Sequence, residues 1–160
     1  MKFLKKRSFV IVAVMIGCLF CTVGIYAGTK ADDVIKMENK AYSKHKKRIV
    51  TFSHKKHTTD YKVGCGECHH DENNKPLNNL KEGDDVQNCI DCHKKPAYIT
   101  GKSAKGLSKT QKLEYHATAI HDNCKGCHKK FNKEKGLTSK DAGAAPTTCT
   151  KCHPKKCNSK

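Results

Sequence analysis

Four copies of one pentapeptide constrain this chain more than any other feature. They are Cys65-Gly66-Glu67-Cys68-His69, Cys89-Ile90-Asp91-Cys92-His93, Cys124-Lys125-Gly126-Cys127-His128 and Cys149-Thr150-Lys151-Cys152-His153, each a C-x-x-C-H string. Such a string reads as a c-type haem attachment site, in which two thiols bond the porphyrin vinyls and the adjacent histidine reaches the iron. Positions i, i+3 and i+4 of a helical turn share one face, so both cysteines and the histidine can meet the same ring. Zinc sites need paired C-x-x-C units closing a tetrahedron and give no reason for a histidine at the same offset four times. Four covalently bound haem c groups are therefore expected, with His69, His93, His128 and His153 as proximal ligands.

The rest of the composition demands those cofactors. Residues 28–160 contain sixteen Leu, Ile, Val and Phe in 133 positions, about 12%, well under the ~20% below which a charged chain is expected to stay disordered. The polypeptide alone cannot bury enough apolar surface to fold, and four flat porphyrins would supply the missing core. Folding and haem attachment should then be coupled, as metal binding and folding are in small metalloproteins.

Residues 1–27 read as a signal peptide. Four basic residues lie between Met1 and Arg7, an apolar run follows from Ser8 to Ile25, and Ala27 ends a cleavage site. Export to the periplasm is expected. The apolar run is also long enough for an uncleaved anchor, and Met15-Ile16-Gly17-Cys18 weakly resembles a lipid-attachment box that would tether the protein through Cys18. Cys18 and Cys21 form a C-x-x-C followed by Thr22, so they lack an iron ligand. The remaining chain, 28–160, has 28 basic against 15 acidic residues, a net of +13 with histidines neutral. Nucleic acid is not the expected partner, because the chain is exported and its lysines lack interleaved aromatics for base stacking.

Regular structure should be sparse: a small, α-rich but largely irregular domain with a short N-terminal hairpin. Ile35 to Met37 and Arg48 to Phe52 have strand character, with polar Asn39 to Lys47 between them. Asp85 can cap a helix running through His93 and Lys94. Ser108-x-x-Gln111 has the form of a capping box for a longer helix toward His121. Asp122 can start another that Gly136 closes, and Pro146 and Thr148 introduce a last one ended by Pro154.

Ten histidines are present and four are proximal ligands. Six remain: His45, His54, His57, His70, His116 and His121. Four six-coordinate irons need four of them, and Met37 is the only methionine after the leader, so the inventory points to bis-histidine ligation. His45, in a lysine-rich run, is expected to face solvent. His116 and His121 are five residues apart, which turns a helix by about 500°, so they cannot serve one iron together.

The order F-S-H-x-x-H, then C-x-x-C-H-H, then a second string, then I-H-D before the third and a fourth near the C-terminus resembles the tetrahaem cytochrome c3 family, the class III cytochromes c of anaerobic sulfate- and sulfur-reducing bacteria. The resemblance spans Ile35 to His153. It implies that His54 is distal ligand to the haem on Cys65 and Cys68, and His57 to that on Cys124 and Cys127. His70 would serve the haem on Cys89 and Cys92, and His121, rather than His116, the haem on Cys149 and Cys152. Many family members have four residues between the cysteines at the second and fourth sites, whereas all four strings here have two. Cys157 has no following histidine and is left over.

Irons with both axial positions filled pass electrons rather than bind substrates, and paired imidazoles with solvent exposure lower their potential. The expected function is thus a low-potential periplasmic electron carrier and not an enzyme. The resemblance implies a periplasmic hydrogenase or formate dehydrogenase as donor and a membrane-bound multihaem redox complex as acceptor. A haem-bearing subunit of an extracellular filament or membrane-tethered complex is the alternative.

Overall fold

The computed structural model describes residues 31–153. The expected signal peptide, with Cys18, and Pro154 with the tail carrying Lys155, Lys156 and Cys157 lie outside the described residues. Strand β1 (Ile35–Lys36) pairs antiparallel with β2 (Thr51–Phe52), Ile35 opposite Phe52 and Lys36 opposite Thr51. The Met37 N–H adds a further rung to the Val50 carbonyl at 2.9 Å. This is the hairpin that the β-branched and aromatic residues call for. In its loop the Asn39 side chain accepts from the Ala41 N–H at 2.9 Å, an Asx turn.

Four α-helices follow among the described residues, and only one exceeds five residues. They are α1 (Cys89–Cys92), α2 (Lys109–Leu113), α3 (His116–Glu134) and α4 (Cys149–Cys152). The domain is small and mostly irregular, so the expected α-rich character reduces to one long helix and three single turns. Ser108 does cap α2: its hydroxyl accepts from Gln111 N–H at 3.2 Å while Gln111 Oε1 accepts from Ser108 N–H at 2.8 Å. Gly136 closes α3 at φ 64° in a Schellman arrangement. There Leu137 N–H reaches the Asn132 carbonyl and Gly136 N–H that of Lys133.

Two helix boundaries differ from the sequence expectation. Asp85 starts no helix. Asn88 is extended, α1 begins only at Cys89, and Asp91 reaches back to the Asn88 N–H at 3.2 Å. Val86 is exposed, so an earlier turn would have buried no apolar face. Nor does Asp122 begin a helix, because it lies inside α3. The break falls earlier, at Tyr115, where the backbone of Lys95 intervenes: its N–H donates to the Glu114 carbonyl and its carbonyl accepts from the His116 N–H. A Lys95–Glu114 ion pair at 2.5 Å and the Lys95 ammonium 5.1 Å from the Tyr115 ring accompany this junction.

Among the described residues no hydrophobic side chain is buried. The buried ones are polar: His116, Thr118 and Asn132, between 6% and 9% exposed. Hydrophobic burial is the dominant favourable term in folding, and this polypeptide does not generate it by itself. Among the described residues no helix is long and apolar enough to cross a membrane.

Candidate haem-binding site

Each attachment string is wound into one tight turn. In the first, second and fourth, the histidine N–H bonds the carbonyl of the first cysteine, at 2.8 Å for His69 and Cys65, 2.8 Å for His93 and Cys89, and 2.7 Å for His153 and Cys149. The first turn is a 3₁₀ segment, Cys65–Glu67, and the third string lies within α3. Cys65 and Cys152 are half-buried and the other six cysteines are exposed. The thiols nonetheless influence one another electrostatically across the fold. Burial, and then the nearness of Cys124 and Cys127, pushes the Cys68 thiol up to about 11. The Cys124 thiol is raised by burial and then by Cys152 and Cys89.

The rings of three histidine pairs meet across the chain, two of them stacked and the His70–His93 pair edge-on at 71°. His57 and His128 have centroids 6.2 Å apart, His121 and His153 6.1 Å, and His70 and His93 5.9 Å. Such separations suit packed aromatic rings. They equally suit two imidazoles on opposite sides of one metal ion, since metal–nitrogen bonds of about 2.0–2.1 Å place the ring centres roughly 6 Å apart.

The hydrogen bonds decide between these. In all six histidines Nδ1 faces a backbone carbonyl: Ser53 for His57 and Asp71 for His70, both at 2.8 Å, Leu113 for His93 and Ala117 for His121, both at 2.5 Å, Pro146 for His128 at 2.7 Å, and Arg48 for His153 at 2.6 Å. A carbonyl can only accept, so each neutral ring carries its proton on Nδ1 and leaves Nε2 as a free electron pair. Metal-ligating histidines are held in this way. Among the described residues no group of three or more His, Cys, Asp or Glu converges on one point. The imidazoles meet in twos, and a metal held between them would take its other ligands from outside the chain, as a porphyrin iron does. The missing apolar core, the paired rings and the adjacent cysteines together fit haem c.

The remaining histidines separate clearly. His54 contacts the Phe52 ring at 6.1 Å. The His69 imidazole is lowered by burial first and then by the neighbouring His54 and His70. His116 is buried, and its Nδ1 meets the Tyr42 hydroxyl at 2.8 Å rather than a carbonyl. It is His121 whose ring faces His153. His45 is half-buried against Tyr42, with centroids 5.1 Å apart, and not solvent-facing as expected, because the loop folds back onto α3. It lines a cavity with Lys46, Lys47, Arg48, Cys149 and His153. Tyr98, which the sequence did not single out, stacks on His121 at 4.4 Å and 29°. Two of the six carbonyl contacts, Ser53 to His57 and Ala117 to His121, follow helical i, i+4 spacing. Those from Leu113, Pro146 and Arg48 carry no sequence signal.

The comparisons with known proteins agree on one family. The model of the class III cytochrome c family matches residues 30–153. Cytochrome c3 of Desulfovibrio desulfuricans is 30% identical over 125 residues, which covers 78% of this chain and 95% of that protein.

Proposed function

The chain belongs to the class III cytochrome c family, whose members are multihaem electron carriers, and from that premise we propose that it is a low-potential tetrahaem carrier of the periplasm. Its donor would be a hydrogenase or formate dehydrogenase, and its acceptor a membrane-bound multihaem redox complex. The observation that carries this reading is the set of three imidazole pairs, 5.9–6.2 Å apart, with every Nδ1 on a backbone carbonyl. Bound haem would supply a one-electron couple at each iron.

The chain's own residues do the rest. Cys65, Cys68, Cys89, Cys92, Cys124, Cys127, Cys149 and Cys152 would anchor the four groups. His69, His93, His128 and His153 would ligate from the proximal side and His54, His70, His57 and His121 from the distal side. With a histidine from each side, a bound haem would keep no position for substrate and would be left to pass electrons. Carbonyl acceptors at Nδ1 make the imidazoles stronger donors, which favours the ferric state and a low potential.

Lysines give the carrier its recognition surface. Lys129, Lys130 and Lys133 follow the third string, Lys151 lies in the fourth, and Lys155 and Lys156 continue from it. Electron-transfer contacts bury under ~1,200 Å², so long-range attraction governs encounter more than packing does. Reduction by an acidic hydrogenase should slow steeply between low and physiological salt, where the Debye length is about 8 Å. Changing Lys151, Lys155 and Lys156 together to Glu should slow it further at low salt with haem spectra unchanged. A wild-type rate in that variant would move the docking face elsewhere, and an intact mass lacking four haems would overturn the reading.

A further inference from the structure

His128 and Asn132 lie four residues apart on α3, hence on one face of the helix. The returning segment after Gly136 runs beside that face and offers them two consecutive residues, Ala145 and Pro146. The Asn132 carboxamide pairs with Ala145 in both directions: Nδ2 donates to the Ala145 carbonyl at 2.9 Å, and Oδ1 accepts from the Ala145 N–H at 2.8 Å. One residue on, the Pro146 carbonyl accepts from His128 Nδ1 at 2.7 Å. The same carbonyl lies 3.7 Å from the Cys152 sulfur in the fourth string. Asn132 is 6% exposed, the least exposed of the three buried residues described. It is also anchored through its backbone, since its carbonyl accepts the Leu137 N–H at 2.7 Å.

A buried amide that satisfies both polar groups of one backbone residue acts like a short rung of sheet. Proline has no N–H of its own to fix its position here. With φ fixed by its ring, Pro146 is placed by the residue before it, which Asn132 holds.

We propose that Asn132 is a positioning residue for His128, the proximal ligand at the third attachment string. By clamping Ala145 it aims the Pro146 carbonyl at His128 Nδ1, which fixes the ring's tautomer and plane and strengthens Nε2 as a donor. The inference rests on His128 being an iron ligand, as read above. Removing the clamp weakens the Nδ1 bond, makes the imidazole a poorer donor and raises the potential of that one iron.

The test uses the haem-loaded full chain. Asn132→Ala removes both bonds to Ala145. Asn132→Asp keeps the shape and one acceptor but loses the donor, and so covers the case in which the alanine variant does not fold. Intact mass of the wild type and paramagnetic resonance of its low-spin irons check the underlying reading independently of either variant. Redox titration followed by NMR, with the third haem assigned through labelled His128, then reads the inference. The expected result is a shift confined to that haem, toward reduction by up to about tenfold in the ferrous-to-ferric ratio, equivalent to about 59 mV for one electron. Its low-spin signal should change while the other three stay fixed. Unchanged potentials in both variants, or a shift spread evenly over all four irons, would overturn it.

Discussion

His54 and His57 stand three residues apart in one segment, yet the structure treats them differently. His57 has its Nδ1 on the Ser53 carbonyl, rings from Phe52 and Tyr61 against it at 4.6 and 5.5 Å, and a partner, His128, that is itself held by Pro146. His54 and His69 have no ring hydrogen bond among the described residues, and His69 rides on a 3₁₀ turn rather than a long helix. Preorganisation is thus uneven. The third site is built from segments remote in sequence and ties the hairpin, α3 and the loop before α4 together, whereas the first, with His54 as its proposed distal ligand, would be assembled from one stretch of eighteen residues, 52–69.

The largest test of that contrast is to delete each site. Replacing Cys124 and Cys127 by Ser should abolish recovery of folded, haem-loaded protein, because the segments meeting there have no apolar core to hold them otherwise. Replacing Cys65 and Cys68 by Ser should leave a three-haem protein, detectable by intact mass and circular dichroism. Equal damage from both would break the comparison.

Distal variants probe the same difference more gently. His54→Ala and His57→Ala should each convert one of four irons to high spin in the visible spectrum. Only the second should also lower the denaturant midpoint appreciably, since it strips a packed and hydrogen-bonded ring. His121→Ala should convert one iron as well, and His116→Ala none.

A smaller effect should come from Tyr42→Phe. The phenol is raised by burial, outweighing an opposing hydrogen bond from the Ala117 backbone, and it partners His116 Nδ1 at the start of α3. Leaving a buried group unpaired costs about 1–3 kcal/mol, so the denaturation midpoint should fall without change in any iron's spin state. If the variant instead perturbs the first haem, the start of α3 is coupled to the segment 52–69 and the contrast between the two sites fails.

The smallest effect concerns the loop that delivers Pro146. The Asp141 carboxyl is held below its usual value by the Thr138 N–H, which it accepts at 2.6 Å, and by the Thr138 hydroxyl. A depressed carboxylate stabilises the fold above its unfolded value, 3.8, and that contribution is lost as pH falls through the lower folded value. Amide exchange at Thr138 should thus accelerate, relative to Asp141→Asn, only at acid pH below about 4. The Ser53–His57 segment should show no such dependence.

Much of the local architecture was legible in consecutive residues. Ser108 and Gln111 announce a cap, Gly136 a stop and Thr51-Phe52 a strand, because capping, left-handed backbone and β-propensity act over a few positions. The helix break at Tyr115 and the late start of α1 were not legible, because Lys95 sets the first through a backbone bridge from twenty residues away and α1 had no apolar face to extend over.

The same division runs through the site. Spacing within each C-x-x-C-H string determines by itself that two thiols and an imidazole share a face, and the scarcity of apolar residues determines that something other than the chain must form the core. Spacing and composition alone pair no two of these rings; the family resemblance implied the partners, and the tertiary structure brings His57 to His128, His70 to His93 and His121 to His153. It alone supplied the carbonyls of Arg48, Leu113 and Pro146 to their Nδ1 atoms. Backbone acceptors exist at every residue and leave no mark in composition. Which of them reaches a given imidazole depends on how distant segments return, and here that return is governed by polar clamps such as Asn132 on Ala145.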